Sequence, residues 1–135
     1  MRASLMARWL CAVTLSCVCG LARADEPAVR IEIQGAQTLQ RSAHALVPVV
    51  LALSVPDDTP LMLTPSVEGA AVEVVRGRLL RSEATVIDAS HLRFDVPVVA
   101  RSEGTAILRV EVATYVCRPG CRPIAASALR VLRVR

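Results

Sequence analysis

The chain has 135 residues, with 16 Arg and no Lys against 12 acidic residues, and a formal net charge of +4. This length fits one domain with a hydrophobic core of its own. Only 2% of the residues are aromatic, so the chain lacks the side chains that stack on bases, and no nucleic-acid partner is expected.

The first 24 residues predict a cleaved secretion signal. Arg2 and Arg8 precede an apolar segment at residues 9–21, and Ala22-Arg23-Ala24 forms a small-x-small cleavage site. The apolar segment is shorter than the about 20 residues of a membrane helix, so we expect no membrane span in the mature chain. Three of the five cysteines leave with this segment, and their sequence context is a poor match to a lipidation site.

The predicted mature domain comprises residues 25–135. Removing three of the 16 Arg leaves 13 against 12 acidic residues, so the apparent basicity belongs mostly to the signal. The abundance of Ala, Val and Arg is typical of GC-rich bacterial genomes. We therefore expect one bacterial domain that is periplasmic or secreted.

The first half of the domain predicts strands. Apolar and polar residues alternate over residues 29–33, as in a strand with one solvated face. The continuous apolar run at 45–53 predicts a buried strand, with Pro48 restricting its first half to an edge or a bulge. Asp57 and Asp58 predict a turn. Shorter strands are predicted at residues 61–64, 71–75 and 84–88.

The last three predicted strands lie at residues 92–98, 106–112 and 124–134. In the final one, Leu129 and Val131 share one phase whereas Leu132 and Val134 share the other, which predicts a bulge. About seven to eight strands, separated by turn signals and without a helix of three turns, predict an all-β antiparallel β-sandwich.

Cys117 and Cys121 are the only cysteines of the mature domain and bracket residues 118–120 between the last two strands. A hairpin would place them opposite each other, near the about 5.5 to 6 Å between Cα atoms that a disulfide favours. In an oxidising compartment we expect a disulfide that staples the hairpin. Two alternatives are a redox-active pair, with Arg118 and Arg122 as neighbouring cations, and a metal site.

The segment Tyr115-Val116-Cys117, followed by a tight loop with Cys121 and Pro123 and by a closing strand, resembles the cysteine hairpin of a known family. The family is that of the immunoglobulin-like N-terminal domains of periplasmic thiol:disulfide interchange reductases, and the likeness covers residues 92–134. It implies an immunoglobulin-like sandwich, in which Cys117 and Cys121 would be a candidate pair for carrying electrons to periplasmic partners.

Other chemistry finds little support. The serines, among them Ser90, are scattered in predicted turns, and no nucleophile-elbow, zinc-protease or phosphate-binding motif is present. His44 and His91 are not brought near the cysteines by any spacing, and Asp57-Asp58 has too few oxygens for calcium. We expect no catalytic residue, no cofactor and no metal site, which favours a binding protein over an enzyme.

Three functions fit these patterns. The first is a non-catalytic immunoglobulin-like binding or accessory module with a structural hairpin disulfide, whose partner is another envelope or secreted protein. The second is a thiol-disulfide carrier that uses Cys117 and Cys121. The third is a subunit of an envelope assembly that pairs through an edge strand.

Overall fold

The computed structural model describes residues 28–54, 59–117 and 120–135. The predicted signal at residues 1–24 and the predicted turn at Asp57-Asp58 lie outside these residues. Over the described ranges the chain forms ten strands and a single 3-10 turn, Arg81–Glu83. None of the described segments is a helix long and apolar enough to cross a membrane.

The strands occupy most of the described chain. They are β1 (Val29–Ile33), β2 (Thr38–Leu39), β3 (His44–Leu53), β4 (Leu61–Glu68), β5 (Val72–Val74), β6 (Leu79–Leu80), β7 (Thr85–Asp88), β8 (His91–Ala100), β9 (Gly104–Cys117) and β10 (Cys121–Val134). Eight of them correspond to predicted strands. The two-residue strands β2 and β6 were not predicted, because two residues are too few for an alternating pattern.

The strands form two sheets. In the first sheet the order is β1-β3-β8-β5, and β7 also pairs with β8; in the second it is β2-β10-β9-β4-β6. All pairs are antiparallel except β2 with β10. A four-stranded order in one sheet and β10-β9-β4 in the other match the ABED and GFC sheets of immunoglobulin domains. The predicted immunoglobulin-like β-sandwich is therefore confirmed.

The core lies between the sheets and is built from alternate residues of both. Its largest fully buried side chains are Phe94, Leu51, Leu63, Leu108 and Leu132. Each buried aliphatic or aromatic side chain contributes about 1.5 to 3 kcal/mol through removal of apolar surface from water. The two sheets thus depend on one shared core.

Pro48 lies where the neighbouring strand ends, as predicted. β1 pairs with β3 only from Leu53 to Val49, and the Gln34 N–H donates to the Pro48 carbonyl over 2.8 Å just beyond the last pair. Because Pro has no N–H, it fits at a position where the ladder stops. The first half of β3 is consequently free on the side of β1.

The predicted bulge in the last strand is wrong. β10 pairs with β9 without any shift from Cys121 opposite Cys117 to Val134 opposite Gly104. Leu132 and Val134 point into the core, whereas Leu129 and Val131 lie on the outer face, 60% and 52% exposed. Arg130 occupies the inward position between Leu129 and Val131. Its side chain donates to the carbonyls of Ile33 and Gly35. Because one inward position holds an Arg and two outward positions hold apolar residues, the sequence pattern changes phase although the strand has no bulge.

Candidate functional site

The cysteine hairpin joins β9 to β10 at one end of the second sheet. Cys117 is the last residue of β9, Cys121 is the first of β10, and the two are directly opposite in the ladder and form a disulfide. The predicted pairing is therefore confirmed. In the disulfide neither sulfur is a thiolate, which is the form of cysteine that acts as a nucleophile or binds a metal.

The Cα atoms of Cys117 and Cys121 lie 3.8 Å apart, closer than the predicted separation. The register explains why this separation is shorter than predicted. The Arg133 N–H points away from β9 and donates to the Gln37 carbonyl, so in the unshifted strand every odd-numbered residue of β10 directs its backbone groups away from β9. Cys121 is one of these residues, and pairs without mutual hydrogen bonds are the closer ones in antiparallel ladders.

The disulfide faces the outside of the second sheet. Cys117 and Cys121 are both exposed, and the alternation of the strands places the next outward pairs on the same face. Moving along the hairpin, these are Tyr115 with Pro123, Ala113 with Ala125, and Glu111 with Ser127. Apolar and small residues thus follow the disulfide along the sheet as far as the polar pair of Glu111 and Ser127.

An apolar groove of about 460 Å³ lies on this outer face beside the disulfide. Ala113 and Ala125 are the small residues of its lining, and both also line the depression next to it. The groove is lined by Pro60, Leu61, Met62, Leu80, Ala113, Thr114, Tyr115, Pro123, Ile124 and Ala125. A second depression of about 360 Å³ continues it along the strands toward Thr64, Glu111 and Ser127. The surface therefore passes from apolar to polar with distance from the hairpin.

Thr114 holds one rim of the groove in place. It is the one buried polar residue among those described, and its Oγ1 donates to the Pro60 carbonyl over 2.8 Å. This bond ties the segment before β4 to the middle strand of the sheet. This rim of the groove is therefore attached to β9.

The groove residues were not predicted. Met62 and Leu80 meet there because β6 pairs with β4, with Leu80 opposite Met62, and β6 is too short to predict from the sequence. One signal was available: Tyr115, 51% exposed, lies in the polar phase of β9. An exposed aromatic residue in the phase that also carries Arg109 and Glu111 marks an apolar patch on the solvent face.

Asp88, Ser90 and His91 cluster at the turn between β7 and β8 without forming a catalytic triad. His91 Nδ1 lies 2.8 Å from Asp88 Oδ1 and 3.1 Å from Ser90 Oγ. A triad needs the serine and the carboxylate on different ring nitrogens, whereas here both face the same one. The Ser90 N–H also donates to Asp88 Oδ1 over 2.8 Å, so the cluster closes a turn.

The two histidines lie at opposite ends of one pair of strands. His44 is paired with Val99 and His91 with Ala52, so the full length of the β3–β8 ladder separates them. Within residues 28–54, 59–117 and 120–135 no three His, Cys, Asp or Glu side chains come together as a metal site would require. Arg118, the other predicted cation of the hairpin, lies outside the described residues, and Arg122 is exposed.

In comparisons with known proteins, no protein-family model matches the chain, and the curated proteins give no significant match.

Proposed function

We propose that this protein is an extracytoplasmic, non-catalytic binding module that contacts another envelope or secreted protein through the outer face of its second sheet. The observation that carries the proposal is the position of the apolar groove, which is open to solvent and lies beside the Cys117–Cys121 disulfide. Apolar concave surfaces with an aromatic residue at the edge are typical of binding sites.

The disulfide supports an extracytoplasmic location, because such bonds persist in oxidising compartments. Together with the predicted signal at residues 1–24, it favours the periplasm or the external medium. In this proposal the bond is structural: it holds Tyr115 and Pro123, the next outward pair, at the end of the groove.

A photocrosslinking experiment tests the binding face. A benzophenone amino acid replaces Tyr115 in the protein expressed in its own host, and a matched variant carries it at Val86, which is 70% exposed on the other sheet. We expect a discrete crosslinked product from position 115 that is absent from position 86. Ala113→Arg, which fills the groove, should abolish it. No product from position 115, or an equal one from position 86, would contradict the proposal.

A second candidate function is thiol-disulfide exchange, as the resemblance to interchange reductases implies. It is favoured by the exposure of both cysteines on the same face as the groove. In such a step a partner dithiol would be oxidised to a disulfide while Cys117–Cys121 is reduced to two thiols, so that electrons and protons balance.

The reduction potential separates the two candidates. Purified protein is equilibrated with glutathione or dithiothreitol buffers and its thiols are trapped. A reduction potential of about −200 mV supports exchange. A disulfide whose reduction potential lies below about −300 mV supports a structural bond. The matched Cys117→Ser/Cys121→Ser variant should retain crosslinking from position 115 if the bond is structural only.

A further inference from the structure

One edge of β10 has no strand hydrogen-bonded to it over most of its length, although β1 of the first sheet lies close to β10. β9 occupies the other edge, and β2 pairs with β10 only at Arg133 and Val134. Because odd-numbered residues direct their backbone groups to this edge, the N–H groups of Ala125, Ser127 and Leu129 point away from β9. Among the described residues none of these groups has a hydrogen-bond partner. An unpaired row of this kind can receive a further strand.

Pro123 agrees with this geometry. It is also odd-numbered, so its nitrogen lies on the free edge, where the lack of an N–H removes no bond to β9. The row of free donors therefore begins after Pro123 and continues toward β2. At about 3.3 Å per residue, the segment between them spans roughly 25 Å, enough for an added strand of ordinary length.

The side chains beside the free edge indicate what would pair there. On the outer face, Leu129 and Val131 are exposed next to Ile107, and Ala125 borders the apolar groove. A strand placed along this edge would bury apolar side chains at alternate positions on that face. The surface therefore favours an alternating apolar segment.

The charges on β10 indicate which residues the ends of that segment carry. β10 contains Arg122, Arg130 and Arg133 and no acidic residue. Arg122 and Arg133 are exposed near the two ends of the free edge, and neither forms an ion pair with any described residue. A second copy paired through β10 would place side by side two strands that each carry Arg residues and no acidic residue. Like charges repel, so a partner with carboxylates is favoured over a second copy.

We propose that β10 accepts a strand from a partner protein: an extended segment with apolar side chains at alternate positions and Asp or Glu at both ends. This inference rests on the proposed binding function and specifies how the partner binds. The main-chain groups of Ala125, Ser127 and Leu129 pair with the segment, Arg122 and Arg133 bind its acidic ends, and its outward side chains lie beside the groove.

Peptide binding tests the inference. A fluorescent peptide of alternating Val and Thr, with Asp-Glu at each end, is titrated into the purified protein at low salt and followed by anisotropy. Matched peptides carry Arg-Arg ends or N-methyl groups on alternate residues. We expect the acidic-ended peptide to bind, and both matched peptides to bind at least about tenfold more weakly.

Ser127→Pro removes one free-edge N–H without removing a bond to β9, and Ser127→Ala is its matched control. We expect about fivefold weaker binding for the proline variant, the effect of one lost hydrogen bond, and none for the alanine variant. Should Ser127→Pro fail to fold, Arg122→Glu with Arg133→Glu supplies the test, because it should reverse the preference from acidic to basic ends.

Several outcomes would overturn the inference. One is the absence of binding by the acidic-ended peptide; another is binding that N-methylation and Ser127→Pro leave unchanged. Self-association that Ser127→Pro abolishes would assign the edge to a second copy instead. Crosslinking from position 115 that persists in Ser127→Pro would show partner binding without strand addition, which leaves the proposed function standing and removes only this inference.

Discussion

Arg130 connects the edges of the two sheets through a single inward-facing side chain. Its guanidinium donates to the carbonyls of Ile33 and Gly35, at and just beyond the end of β1, while its backbone belongs to β10. Its Nε is buried and has no partner among the described residues. The two carbonyl contacts outweigh that cost, because bonds from a charged donor are stronger than neutral ones.

Arg130→Met should lower the free energy of unfolding by about 2 kcal/mol, since both carbonyls lose a charged donor while the length of the side chain is kept. Urea unfolding with an unchanged slope would report it. Arg133→Met is the matched control on the outer face and should stay within about 0.5 kcal/mol. Equal stability of the two variants would contradict the role of Arg130.

Asp88 should make folding sensitive to acid. Hydrogen bonds from His91 and from the Ser90 backbone N–H lower the pKa of Asp88 below its ordinary value of 3.8. A carboxyl group with a lowered pKa in the folded state stabilises the fold above its unfolded pKa, and this contribution is lost as the pH falls through the folded pKa.

Asp88→Asn isolates this effect, because the amide oxygen can still accept the Ser90 N–H. We expect the urea midpoint of the variant to fall less than that of the wild type between pH 5 and pH 2, with only a small difference because Asp88 is exposed. Parallel pH profiles of the two proteins would show that Asp88 contributes nothing.

Among the elements, the β9–β10 hairpin is stabilised more by the pairing of its strands than by its disulfide. Both strands run for 14 residues in unbroken register. The disulfide closes a loop with a sequence separation of only 4 residues, so it restricts the unfolded chain little. The sheet therefore does not depend on the bond for its pairing.

Cys117→Ser with Cys121→Ser should cost about 2 kcal/mol by the loop-closure model and leave the fold intact. Thermal unfolding followed by circular dichroism measures the cost, and wild type under reducing conditions is the control. A variant that loses its strand signal at room temperature would show that the hairpin needs the disulfide to form.

At the scale of the whole molecule, the sheets should unfold together because they share one core. Leu51 of the first sheet and Leu108 of the second are both fully buried. Leu51→Ala and Leu108→Ala should each cost about 3 kcal/mol through the cavity they leave. Exposed Leu129→Ala, the control, should cost less than about 0.5 kcal/mol.

Circular dichroism and Tyr115 fluorescence should report one coincident transition in each core variant. Two separated transitions in Leu51→Ala, with the signal of Tyr115 in the second sheet lost later, would show that the sheets are independent units.

Local sequence patterns were enough to predict the class of fold and the cysteine pairing. Alternation along β1, β8 and β9 is a local property, because successive side chains of any strand point to opposite faces. The three residues between Cys117 and Cys121 allow only a tight connection. Pro48 likewise predicted where pairing with a neighbouring strand ends, because the absence of an N–H is a property of the residue itself.

Which strand faces are buried and which strand edges stay unpaired could not be predicted, because both depend on how the strands assemble. Whether Leu129 or Leu132 enters the core depends on which side of β10 meets the other sheet, and the contact of Arg130 with residues nearly a hundred positions earlier has no local signature. The groove needs β6 beside β4, and the free edge of β10 needs β2 to be short. Such features arise from pairing between distant segments, and periodicity within a single strand carries no information about it.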